Sequence, residues 1–170
     1  TLVAVNNDMS FPSIINQINQ HADNVGFSLA LDDDLYEPRP NQVNLIKAIL
    51  LRLDMEQQDE SVIKTYTGRI TIEHILPQAL VNEYWIQRFN PQEHIYWLHK
   101  IGNLTLISGS KNSEAQHYDF IKKKTIYEKL NSKSSFDLTK DVCKSECWGI
   151  EELKDRHEKM KLQLKELWLV

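Results

Sequence analysis

One short pattern most constrains what this chain can fold into. Ile70 and Ile72 alternate with Thr71 and Glu73, a period of two that predicts a strand over 65–75. Pro77 follows and cannot continue a paired ladder. The strand therefore has to end near His74. That ending matters, because neighbours on a regular strand face opposite sides. Glu73 and His74 can serve one site only where the strand bends or stops. A second apolar run, Leu104 to Ile107, begins directly after Gly102 and Asn103. Ser108, Gly109 and Ser110 then turn the chain into a predicted helix over 111–124, with Asn112 in its first turn. The order is strand, strand, helix, with an acid–histidine pair, an asparagine and a second asparagine at the three junctions.

Asn103 follows His74 by 29 positions and precedes Asn112 by nine. This arrangement resembles the HNH, or ββα-metal, endonuclease motif. The flanking residues narrow it. Ile72-Glu73-His74-Ile75-Leu76-Pro77-Gln78, then Gly102-Asn103-Leu104-Thr105-Leu106-Ile107 and Lys111-Asn112-Ser113, resemble the C-terminal domain of GmrSD-type restriction endonucleases. Two features depart from the common HNH pattern. Glu73 stands where aspartate is more usual, and the His74–Asn103 separation is about double the usual one, so a helical insert must fill it.

Chemistry accounts for the residue types. Phosphodiester hydrolysis needs a base to activate water and a cation to neutralise charge on the phosphate and the leaving oxygen. Histidine suits the first task, since its ordinary pKa lies near working pH. Carboxylate and amide oxygens suit the second, because hard ions such as Mg²⁺ take oxygen ligands and retain water. On this reading His74 is the general base and Asn103 the residue orienting its ring. The motif match implies Glu73 and Asn112 as metal ligands, for Mg²⁺ first and Mn²⁺ as the alternative. The family further implies cleavage of DNA in bacterial anti-phage defence, in the cytoplasm, beside an N-terminal nucleotide-hydrolysing sensor domain not in this chain. Two rivals stand beside the DNA endonuclease: a non-catalytic nucleic-acid or protein-binding module on the same frame, and an RNase.

The 170 residues suffice for one domain with a substantial core. The expected fold class is α+β, mostly helical, with the ββα core embedded in surrounding helices. A helical part over 1–64, a core over 65–124 with a helical insert at 80–101, and a helical part over 125–170 compose it. The start at Thr1 suggests a piece of something larger. No apolar run reaches the length of a membrane span. Cys143 and Cys147 are too few for a four-cysteine zinc site and are read as reduced thiols.

Net charge is −4, which argues mildly against a protein that coats nucleic acid. The charge is uneven, however. Eight acids face three bases between Asp32 and Glu60, whereas six lysines face three acids between Lys111 and Lys133. Lys111, Lys122 and Lys123 in that basic stretch are candidate DNA-backbone contacts.

Helices are also predicted over 12–22, from Asn41 along the Val43–Leu53 apolar face, and over 148–169. Asn90, Pro91 and Glu93 form a helix start inside the insert. Trp85, Ile86, Ile95, Trp97 and Leu98 are expected to pack this insert over the hairpin. Tyr118, Phe120 and Tyr127 are read as core. His94 and His99 are read as ordinary surface or supporting histidines. His117, five residues past Asn112, is left out of the ligand set. The seam of Ile150, Leu153, His157, Met160, Leu164 and Leu167 is expected to dock on its own domain, with a homodimer as the alternative.

Overall fold

The computed structural model describes residues 31–36, 40–57, 66, 68–128 and 136–168. The predicted helix over 12–22 and the residues Thr65, Lys129 and Lys133 lie outside them. Among the described residues the fold is α+β and mostly helical, around a two-stranded antiparallel sheet. Strand β1 (Ile70–His74) pairs with β2 (Leu104–Ser108), Ile72 opposite Leu106 and His74 opposite Leu104. The strand begins later than its pattern predicts and ends at His74. No helix of the described residues is long and apolar enough to cross a membrane.

Helix α1 (Pro40–Glu56) precedes the hairpin. The insert between the strands contains α2 (Glu83–Ile86), α3 (Pro91–Trp97) and a 3₁₀ turn at Ile101–Asn103. At the start of α3 the predicted cap forms in full. Asn90 Oδ1 accepts from Glu93 N, and Glu93 Oε2 accepts from Asn90 N, both at 2.9 Å. After β2 come α4 (Gly109–Ala115), α5 (Phe120–Tyr127), α6 (Asp137–Cys143) and α7 (Ile150–Trp168).

The hairpin lies between two apolar clusters, which explains why β2 is buried on both sides and reads as a continuous apolar run. Ile72, Leu104 and Leu106 pack with Leu50 and Leu53 of α1, Leu138 of α6 and Met160 and Leu164 of α7. Ile107 faces the other way, towards Trp85, Phe89, Phe120, Tyr127 and Trp148. The α7 seam is thus used within its own domain. Gly102 sits so close to that helix that a Cβ there would lie 2.6 Å from His157 Cβ and 2.8 Å from His157 Cα. Close helix approach, and not only the end of the insert, requires this glycine.

Three expectations need correction. The single helix over 111–124 is two helices, α4 and α5. Gln116 adopts a left-handed φ of 37°, which stops α4, and Asp119 Oδ1 caps α5 by accepting from Lys122 N at 2.8 Å. Ile86 and Ile95 are exposed instead of covering the hairpin, since α2 and α3 turn only Trp85 and His94 fully inward. Tyr118 falls in the break between α4 and α5 and is exposed, whereas Phe120 and Tyr127 are core.

Candidate active site

The site starts from the way β1 stops. Beyond His74 the backbone leaves the ladder, and Asn103 grips it. Asn103 Oδ1 accepts from Leu76 N at 2.7 Å, while Nδ2 donates to Leu76 O at 3.0 Å and to Leu98 O at 2.9 Å. His94 adds a donor from Nε2 to Pro77 O at 2.8 Å. This grip lets two consecutive strand residues, Glu73 and His74, border one cavity.

The cavity is about 300 Å³ and is lined by Tyr36, Glu73, His74, Gln78, Asn112 and His117, among others. Three of the four residues singled out in the sequence therefore converge. Asn103 does not join them. It lies fully buried behind the loop, and both its amide protons go to backbone carbonyls. The orienting role expected of it on His74 is not what the geometry gives. The imidazole instead meets His99, with Nε2 and Nδ1 3.2 Å apart, and Gln78, whose Nε2 lies 3.4 Å from His74 Nδ1. Tyr36 closes the cluster, edge-on to His74 at 4.6 Å and stacked on His99 at 5.6 Å.

His117 reaches the cavity because the helix breaks at Gln116. Helical periodicity argues against it, and no glycine or proline marks the break. His99 and Tyr36 carry no signal in the sequence pattern. Gln78, inside the quoted motif, could have been found there.

Glu73 is buried, with Lys123 Nζ at 2.8 Å and Tyr127 Oη at 2.9 Å from Oε1. Lys123 Nζ also donates to His74 O at 2.7 Å. Burial pushes the Glu73 carboxyl up, opposed by Lys123, Tyr127 and the His74 backbone N–H. Asn112 donates from Nδ2 to Ile72 O at 3.3 Å, which fixes its amide beside the strand.

The lysines expected to meet DNA divide. Lys111 is buried, with Nζ donating to Tyr127 O at 2.5 Å, and Lys123 is fully buried on Glu73. Neither presents its charge to solvent, because α4 and α5 turn these positions into the core. Lys122 is exposed beside Tyr118, with Nζ 5.9 Å from the ring centre.

Burial lowers the His74 pKa to about 3, reinforced by His99, Lys123 and His94. Burial also lowers His99 and His157. A histidine whose folded pKa falls below its unfolded value binds its proton less readily when folded, so stability is lost as pH drops below about 6.5. From pH 7 to pH 5, His74 alone should cost about 2 kcal/mol. Urea unfolding at the two pH values checks this. Equal stabilities would mean that the ring takes its proton freely in the folded chain.

Glu73 and Asn112 both line the cavity, and their side chains carry a carboxylate and an amide oxygen. That donor set fits a small hard divalent ion. A second group, Asp32, His157 and Glu158, brings ligand atoms within 4.8 Å of one another. Lys161 Nζ bonds both Asp32 and Glu158 there and already supplies the counter-charge.

No match to a curated protein was found. The family described as GmrSD restriction endonucleases, C-terminal domain, matches residues 22–161, a span that takes in the hairpin, the cavity and most of α7. With that match over most of its length, the chain belongs to the C-terminal domain family of the GmrSD restriction endonucleases.

Proposed function

We propose that the cavity at the end of β1 is an HNH-type endonuclease site that hydrolyses DNA phosphodiester bonds, as the effector part of a bacterial restriction system. The observation that carries this reading is the convergence of Glu73, His74 and Asn112 on one cavity, from the end of the first strand and the first turn of the helix of the ββα unit. In this reading His74 takes the proton from the attacking water. Glu73 and Asn112 would hold the ion, Mg²⁺ or Mn²⁺, which would neutralise charge on the phosphate and the leaving oxygen. Asn103 and His94 act on the backbone, keeping Glu73 and His74 at one opening. A substrate phosphate beside the His74 ring favours its protonated form, against the effect of burial.

One observation favours a second reading. The Lys123 ammonium already sits on the Glu73 carboxylate, as it would in a binding module that kept the frame and dispensed with the ion. A plasmid-nicking assay separates the two. Cleavage with Mg²⁺ or Mn²⁺ that disappears with chelator and returns on adding the ion supports the enzyme. Binding of DNA without cleavage under every ion condition leaves the non-catalytic module. Parallel RNA substrates test the ribonuclease alternative, because the 2′-hydroxyl distinguishes the two.

A further inference from the structure

We infer that His99, together with Gln78, is the positioning residue that fixes the tautomer of His74, leaving Nδ1 as the unprotonated nitrogen, which accepts from Gln78 until an attacking water takes the place of the amide. Gln78 Nε2 carries hydrogens and can only donate, so its contact with His74 Nδ1 requires a lone pair on that nitrogen. A neutral imidazole has one ring proton, which must then sit on Nε2. Nε2–H points at His99 Nδ1, 3.2 Å away, and that nitrogen is the acceptor. Both rings thus have one assigned tautomer. Gln78 itself lines the cavity, which puts the unprotonated nitrogen of His74 on that side.

His99 is held as a positioning group has to be. Its carbonyl accepts from Leu35 N at 3.1 Å and Tyr36 N at 3.4 Å, and the Tyr36 ring stacks on its imidazole. An ordinary surface histidine would have no need of this clamp. Asn103, the residue that would otherwise orient the imidazole, is fully engaged elsewhere. The inference rests on the nuclease reading only for its consequence in catalysis.

The test uses the full chain with ¹⁵N-labelled histidine, free of DNA and metal, with the His74 signals assigned by their loss in His74→Ala. The expected spectrum has the His74 proton on Nε2. His99→Ala should leave a mixture of tautomers, and His99→Asn, whose amide oxygen can stand in for the accepting nitrogen, should restore one. In cleavage assays His99→Ala should lower kcat by about 10–100-fold with KM for DNA unchanged, and His99→Asn should recover most of it. A His74 proton on Nδ1 in the unsubstituted protein would mean the Gln78 amide is turned the other way, and overturns the inference. A tautomer indifferent to His99→Ala overturns it equally. The spectrum needs no cleavage, so a chain that fails to cut DNA sinks the nuclease reading without deciding this one.

Discussion

Replacing His74 with alanine is expected to lower DNA nicking by about a hundred- to ten-thousand-fold, the range supplied by one positioned acid–base group, and to leave the protein folded. The ring borders a cavity at the end of a strand, so its removal enlarges an opening and creates no closed void. The backbone around it is held from elsewhere, by Asn103 on Leu76 and Leu98 and by His94 on Pro77. Truncation removes one ring contact from each of Tyr36 and His99, which remain stacked on each other, a local cost that does not reach the two apolar clusters. Supercoiled-plasmid nicking in the presence of Mg²⁺, with a circular-dichroism melt on the same sample, measures both halves. Undiminished cutting by the variant refutes the base assignment. A melt that disappears altogether would show that the ring holds the fold.

The second large effect is expected at Asn103. Its side chain satisfies three backbone groups in a fully buried position, one N–H and two carbonyls. Removing one partner from a buried hydrogen bond strands the other, at about 1–3 kcal/mol for each group. Asn103→Ala should therefore destabilise the protein by at least about 3 kcal/mol. Asn103→Asp keeps the acceptor, loses both donors and introduces a buried charge, and should be no better. This outcome separates two accounts of the same residue. A residue that orients the imidazole would lose kcat with stability intact, whereas one that shapes the loop loses stability first. Chemical denaturation decides between them, and a change under about 1 kcal/mol discards the loop account.

The parts of the molecule legible in the sequence were those written in local chemistry. The Asn90–Glu93 cap, the alternation before His74 and the stop at Pro77 each need only a few neighbouring residues. The convergence of Glu73, His74 and Asn112 followed from the strand–strand–helix order, since that topology brings the end of the first strand and the start of the helix to one edge. The rest depended on relations no window of residues contains. Lys111 and Lys123 were expected at the surface from charge alone, yet they lie inside because Tyr127 O and Glu73 await them. Asn103 looked like a partner for His74 because both belong to one motif, but its donors are claimed by Leu76 and Leu98. His99 became a neighbour of His74 only through the path of the insert. The left-handed Gln116 that brings His117 to the cavity carries a residue type with no preference for that conformation. Such strain, about 1–3 kcal/mol, resides in the backbone and is silent in composition.

The Lys123–Glu73 contact has one further consequence. Zinc-finger-like domains collapse without their ion because nothing else balances the ligands. Here an amine from the polypeptide itself stands against the acid, so the scaffold carries its own electrostatic ballast. On the proposed reading, stripping out divalent ions should silence the protein without unravelling it, and a circular-dichroism melt with and without chelator checks the second half.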